Sequence, residues 1–397
     1  MEHLSKRIKG LSESQTIAMN QKSRDLQAQG IDIINLTVGE PDFFTPPHVK
    51  EAGKKAIDSN YSFYSPIDGY MDLRKAIANK FKVENNLDYK PEQISVSNGA
   101  KHALANNIMC LVDEGDEVII PSPYWVSYAE LVKLAGGINV ILKTTLENNY
   151  KITAEQLEKA ITPKTKVLLL CSPNNPTGSV YSKSELEALA NVIAKYPGIF
   201  VISDEIYEHI NFVGGHETIA QFANIHERVI VINGVSKGYA MTGYRIGYMA
   251  GPLWLTKAVG KLQGQFTSGS SSIAQRAALE ALTTDNTYTK EMNVAFKRRR
   301  DLVLGLMKDI PGLKCNVPDG AFYVFPDVSY YFGKSDGKIT IQNDMDFSLY
   351  LLEKANAATV PGEGFGEPNC IRISYANADE KLTKAMKQIK EALALLK

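Results

Sequence analysis

The run Gly234-Val235-Ser236-Lys237-Gly238-Tyr239-Ala240-Met241-Thr242-Gly243-Tyr244-Arg245 sets a lysine beside a serine and an arginine eight residues later, directly after an apolar β-rich segment. A lysine amine held away from water loses affinity for its proton and becomes a nucleophile and a base. A serine hydroxyl and a guanidinium together can hold a phosphate. On its own Lys237 reads as an ordinary surface lysine; three other segments change that reading.

Ser203-Asp204-Glu205-Ile206-Tyr207 closes the apolar run FVIS, and ligand sites of open α/β sheets gather at the carboxyl ends of strands. Asp204 can pair with a protonated pyridine nitrogen and Tyr207 can donate to a phenolic oxygen, which are the needs of a pyridoxal ring. An acid capping the next helix explains this segment by itself equally well. Ser172-Pro173-Asn174-Asn175-Pro176-Thr177-Gly178 again follows an apolar run; Asn175 would face the same ring oxygen, although the segment is also good turn chemistry. Ser97-Asn98-Gly99-Ala100-Lys101 lies between the strand-like ISVS and a helical pattern through Val112. Small residues there let backbone N–H groups of Gly99, Ala100 and Lys101 approach a phosphate at a helix N-terminus. Trp125 in SPYW can stack on the ring or serve as a core aromatic.

These groups need a scaffold that brings strand ends together. Short β-rich runs at Ile94 to Ser97, Glu117 to Ile120, Val167 to Cys171, Phe200 to Ser203 and Val229 to Asn233 alternate with helical patterns. The alternation predicts an α/β fold with a mainly parallel sheet flanked by helices, and the continuous runs VLLL and VIVI suit strands buried on both faces. Past Pro311-Gly312 the chain becomes loop-rich, from Ser329 to Asn343 above all. We expect a large domain over 46–310, a smaller α+β domain over 311–397, and an N-terminal segment, 1–45, that packs on the smaller one. Within that segment Thr16 to Gln29 reads as a helix closed by Gly30, followed by a strand from Ile33 to Leu36. Lys297-Arg298-Arg299-Arg300, inside a helical pattern, reads as a solvated or ion-paired face.

A chain of 397 residues can bury two cores with one site between them. With Lys plus Arg and Asp plus Glu at 44 each, the charge balance favours neither nucleic acid nor an anionic membrane. The four cysteines are widely separated and the six histidines show no ligand spacing, so neither a disulfide nor a metal is expected. MEHLSKRIKG lacks a signal-peptide core, and no run of about 18 apolar residues is present. A cytoplasmic location is the expectation.

GVSKGYAMTGYRIG, DEIYEH, SPNNPTG, SNGAK, PSPYWVSY and GEPDF together resemble the fold-type I pyridoxal-phosphate aminotransferases. Within them the likeness is to the bacterial and plastid branch of aspartate aminotransferases, from about Ser12 to the C-terminus. The resemblance implies pyridoxal 5'-phosphate as cofactor and Lys237 as the Schiff-base lysine that also moves the Cα proton. It implies that Asp204, Tyr207 and Asn175 tune the ring and that Trp125 covers it. The phosphate would be held by Gly99, Ala100, Lys101, Ser236 and Arg245, with Tyr64 arriving from a neighbouring subunit, so a homodimer with shared sites is implied. Arg372, in CIRISY, would grip the substrate α-carboxylate with help from the Gly39 backbone; a structural ion pair is the other explanation of a charge inside a strand. The loop 265–272 holds no arginine for a second carboxylate, and in this branch Lys101 takes that part. Trp125 and Asn175 would also face the substrate, and Thr16 matches a residue that accompanies use of prephenate. The expected partners are amino acids and 2-oxo acids: aspartate with 2-oxoglutarate by a ping-pong route, with prephenate as a second acceptor.

Gly362-Glu363-Gly364-Phe365-Gly366 suggests a dinucleotide site, but no helical pattern follows it, so a dehydrogenase is set aside. A different Cα chemistry on the same fold remains an alternative, disfavoured by the pairing of Arg372 with Lys101. A silent regulator with an aminotransferase-like domain would need a further DNA-binding segment, and none is expected here.

Overall fold

The computed structural model describes residues 3–12, 15–284 and 287–397, the side chains at positions 15 and 16 excepted. After a short strand β1 (Ile34–Asn35), seven strands form one sheet: β2 (Ile94–Asn98), β3 (Glu117–Ser122), β4 (Ile138–Lys143), β5 (Thr165–Cys171), β6 (Phe200–Asp204), β7 (Val229–Gly234) and β8 (Ile246–Ala250). Their spatial order is β2-β8-β7-β6-β5-β3-β4. Pairings among β3 to β7 are parallel, and β8 alone runs against both of its neighbours.

The apolar runs are continuous because each face of the sheet has its own core. Leu168, Leu170, Val229 and Val231 enter one hydrophobic cluster, while Val167, Leu169, Ile230 and Ile232 enter another on the opposite side. This is the period-two alternation of a strand with both faces covered. Helices such as Lys183–Ala194 and Ala100–Leu111 supply the facing layers.

Two strands lie outside the sequence expectation. The edge strand β4 is only partly buried and so lacks a core strand's unbroken apolar signal. The strand β8 follows β7 after the loop 235–245, whose one regular element is the turn Thr242–Tyr244. An antiparallel partner needs no crossover helix, so the strand-helix alternation gives no sign of it.

A second core gathers around β9 (Tyr323–Val324), β10 (Ala357–Ala358), β11 (Val360–Pro361) and β12 (Ile371–Ser374). Strand β12 lies between β11 and β9, antiparallel to both. Met292, Phe296 and Val303 of the helix Thr287–Met307, Phe347 of Asp344–Lys354, and Leu382 and Met386 of Asp379–Leu393 fill this core. The N-terminal segment crosses over to it: β1 pairs in parallel with β10, Ile34 opposite Ala357. The preceding helix, Gln15–Ala28, ends before Gly30, whose φ of +85° is the left-handed turn expected of a glycine there. The basic cluster is an ion-paired face, with Arg298 and Arg299 on Asp379, Arg299 also on Asp42, and Arg300 on Asp301. All four cysteines are free, and no described helix is long and apolar enough to cross a membrane.

Beside β6, the buried Lys80 ammonium pairs with Glu208, His216 Nε2 lies 2.9 Å from Glu205, and His209 Nε2 lies 3.1 Å from Glu84. Two His/Glu groups here have potential metal-ligand atoms within 4.8 Å of one another, a proximity that histidine spacing in sequence does not reveal. Lys80 already brings a positive charge to Glu208, which they share.

The tightest backbone approach is between β8 and the turn after β2. A Cβ on Gly247 would stand 2.1 Å from the Ala100 nitrogen and 2.4 Å from the Gly99 carbonyl carbon. Gly247→Ala is therefore expected to destabilise the protein by about 1–3 kcal/mol. Urea unfolding checks this, and an unchanged midpoint would contradict the close seating of the two segments.

Candidate functional site

The carboxyl ends of β2, β3, β5, β6 and β7 point the same way and surround a cavity of about 290 Å³. After β2, Gly99 adopts φ +83° and opens the helix Ala100–Leu111, whose first N–H groups lack intrahelical acceptors by geometry. Gly99 also leaves room for Arg245: a Cβ there would stand 2.4 Å from Arg245 Nη2. Arg245, with φ +57° just before β8, donates to the carbonyls of Thr242 at 3.0 Å and Asn98 at 3.3 Å. The guanidinium, Ser236, and the backbone of Ala100 and Lys101 thus meet at one end of the cavity, a seat for a phosphate.

Asp204, the last residue of β6, is 4% exposed and turns toward the same cavity. Tyr128 Oη donates to its Oδ2 at 2.6 Å and the Ile206 N–H to its Oδ1 at 3.3 Å. Burial pushes this carboxyl up to about 6, against the lowering pull of the Tyr128 hydrogen bond. A carboxylate so placed is suited to a cationic N–H partner. Lys237, following β7, donates from Nζ to the Gly39 carbonyl at 2.7 Å. Burial lowers its ammonium to about 8, reinforced by Arg245 and Arg372 and opposed by Glu40 and Asp204. At that value a useful fraction of the amine is neutral near physiological pH. Trp125, after β3, packs edge-on to Tyr128 with ring centroids 5.5 Å apart. The Lys101 ammonium lies 4.7 Å from the Trp125 ring and loses basicity to burial and to Arg245.

Arg372, in β12, also borders the cavity and is 2% exposed. Its Nη1 donates to Asn175 Oδ1 at 3.0 Å and its Nη2 to the Thr37 carbonyl at 2.7 Å, while Nε has no partner. No carboxylate lies within ion-pair distance of it among the described residues, so the structural ion pair is not what holds it there. Tyr323 of β9 and Phe365 face the guanidinium carbon at 4.5 and 5.0 Å from their ring centroids. Tyr323 Oη is 2.9 Å from Tyr207 Oη, and Asn175 Nδ2 donates to Tyr207 at 3.4 Å. A buried guanidinium with an unused N–H is a ready receptor for a carboxylate.

Gly39, Ala100, Lys101, Trp125, Asn175, Asp204, Tyr207, Ser236, Lys237, Arg245 and Arg372 all border this cavity. Tyr64 does not: it is 96% exposed on the surface of the chain. Thr16 is in the helix Gln15–Ala28, but its side chain lies outside the described residues. Sequence reasoning passed over Tyr128 and Tyr323. Tyr128 is three residues beyond Trp125, a spacing that puts two side chains on one face if the segment is helical. Tyr323 sits in the apolar run AFYVF and gives no signal distinct from core packing.

Residues 31–389 match the family described as aminotransferase class I and II. An aspartate/prephenate aminotransferase of Cereibacter sphaeroides is 46% identical over 98% of this chain and 98% of its own. A bifunctional aspartate aminotransferase and glutamate/aspartate-prephenate aminotransferase of Petunia hybrida is 44% identical over 99% of this chain and 83% of its own. Among solved structures, the aspartate aminotransferase of Rhizobium meliloti superposes with a TM-score of 0.96 at 41% identity, covering 100% of both chains. The aspartate aminotransferase of Thermus thermophilus with maleate gives 0.93 at 41% identity, covering 99% of this chain and 100% of that one.

A buried charge kept for a ligand burdens the empty fold. Succinate is expected to raise the melting temperature of the unaltered protein, and Arg372→Met to abolish that rise while leaving the unliganded protein as stable or up to about 2 kcal/mol more stable. A large loss of stability without succinate would instead mark Arg372 as structural.

Proposed function

This chain belongs to the class I and II aminotransferase family, and from that premise we propose that it binds pyridoxal 5'-phosphate and exchanges the amino group between L-aspartate and 2-oxoglutarate. The observation that carries the reading is Arg372, a buried guanidinium without a carboxylate partner among the described residues, bordering the same cavity as Lys237 and Asp204. The donor set fits the cofactor: a cationic phosphate seat at Gly99 to Lys101, Ser236 and Arg245, an amine at Lys237, and a buried carboxylate at Asp204. Pyridoxal phosphate, once bound, supplies a carbonyl for the amino group and a ring that takes up the electrons left when the Cα proton departs.

The chain's own residues do the rest. Arg372 fixes the α-carboxylate and thereby which Cα bond faces the reaction. The neutral amine of Lys237 would take the proton from the substrate Cα and deliver it to the carbon that carried the cofactor's carbonyl. Asp204 holds a negative charge in place, oriented by Tyr128. Trp125 covers one face of the site and Lys101, at its mouth, offers a cation for a second carboxylate. Tyr64 completes the phosphate seat of a partner subunit in a homodimer, a role that suits its exposure. Residues 311–397 carry Arg372 and close over residues 46–310 when a diacid binds, excluding water. Prephenate is a second amino acceptor, supported by the activities named for the Cereibacter and Petunia relatives.

The visible absorbance of the purified protein with pyridoxal phosphate tests this reading. A band that bleaches with aspartate and returns with 2-oxoglutarate or prephenate is the expected result, and Lys237→Ala should abolish turnover. No band at all, or turnover by that variant, would end the assignment. Lys101→Ser is expected to raise the KM for aspartate about tenfold or more while barely changing that for alanine. Equal losses on both substrates would remove Lys101 from selectivity.

A further inference from the structure

Four buried side chains bordering the cavity form a closed ring. Arg372 Nη1 donates to Asn175 Oδ1, Asn175 Nδ2 donates to Tyr207 Oη, Tyr207 and Tyr323 share a 2.9 Å hydrogen bond, and the Tyr323 ring lies 4.5 Å from the Arg372 guanidinium carbon. Tyr323 is opposite Ser374 in the β9–β12 ladder, so Arg372, two residues before Ser374, is its diagonal neighbour on the same face. Tyr207 and Asn175 belong instead to the loops after β6 and β5. The ring therefore ties the small antiparallel sheet to the carboxyl ends of the large one.

The direction of one donor in this ring is fixed by chemistry. A guanidinium only donates, so the Asn175 oxygen must face Arg372 and its amide N–H₂ must face Tyr207. The Tyr323 hydroxyl has Tyr207 as its one hydrogen-bond partner among the described residues and is 0% exposed. Both hydroxyls border the cavity, and either can be the donor of the pair. Where Tyr323 donates, the Tyr207 oxygen accepts from Asn175 and Tyr323 together, and the Tyr207 proton is the one that points into the cavity.

We propose that Tyr323 is a positioning residue that aims the Tyr207 hydroxyl proton at the cofactor's ring oxygen and, by moving with Arg372 on one small sheet, makes that aim depend on how Arg372 is seated. The proposal rests on the aminotransferase reading and deepens it. Gly39 is part of the arrangement: a Cβ there would come within 3.0 Å of the Tyr323 hydroxyl, so a side chain would press on the donor. The charged and titratable groups acting on the two tyrosines are Arg372, Cys171 and, for Tyr323, Glu40; none of them replaces the Tyr323 hydroxyl as a donor to Tyr207.

Tyr323→Phe keeps the ring against Arg372 and removes only the hydroxyl. A donor to the cofactor's ring oxygen favours its anionic form, so weakening that donor should move the pH midpoint of the visible band upward by about one unit. With aspartate, kcat should fall about three- to tenfold while KM stays within about twofold. The same change made on a Tyr207→Phe background should shift neither the midpoint nor kcat further, because its effect passes through Tyr207. An unmoved midpoint in Tyr323→Phe, or an equal shift on both backgrounds, overturns the proposal. If the unaltered protein shows no visible band, the aminotransferase reading itself has failed. A band that is present but unmoved by Tyr323→Phe sinks the tyrosine link alone.

Discussion

The arrangement depends on keeping a full positive charge at Arg372 inside the protein without a carboxylate beside it. Taking a guanidinium out of water costs several kcal/mol, and here it is offset only in part by two hydrogen bonds and two aromatic faces. The surrounding residues respond to that constraint. Asn175 turns its oxygen to the guanidinium, the chain at Thr37 brings up a carbonyl, and burial holds the guanidinium's affinity for its proton below the usual arginine range. On the proposed reading a bound carboxylate meets that deficit, so the charge that weakens the empty protein would strengthen the occupied one.

Around this receptor the sheet acts as a jig. Its parallel strands end in a row, and small residues at those ends let main chain and guanidinium come close. Asp204 and Lys237 stand at the ends of neighbouring strands, β6 and β7, and their proton affinities are moved toward each other by burial, one up to about 6 and the other down to about 8. Groups with such values change charge readily near neutrality, which a site that moves protons requires.

Much of this was readable before any coordinates. The strands β2, β3, β5, β6 and β7 carry strong apolar runs, and their observed ends fall within two residues of those expected. Residues with unusual chemistry at strand ends, such as Asp204, Lys237 and Arg372, are conspicuous because a charge beside a core segment needs a reason. What escaped was of two kinds. The strand β4 is a partly buried edge without an unbroken apolar signal, and β8 breaks the strand-helix alternation as an antiparallel insertion. Tyr128 and Tyr323 are aromatic residues among aromatic and apolar neighbours; their hydroxyl partners, Asp204 and Tyr207, lie 76 and 116 residues away. Hydrogen bonds between such distant segments exist only once the fold has formed.

The pairing of β1 with β10 has a further consequence. The residues just after β1 do two jobs, lending the Thr37 carbonyl to Arg372 and the Gly39 carbonyl to Lys237, yet β1 itself is a two-residue strand at the margin of the second core. Proteolytic trimming ahead of Glu40 would take away both acceptors while leaving the seven-stranded sheet whole. The same trimming would remove Ile34 and Leu36 from the second core, so the vulnerable part of this protein is a strap of main chain laid across its centre.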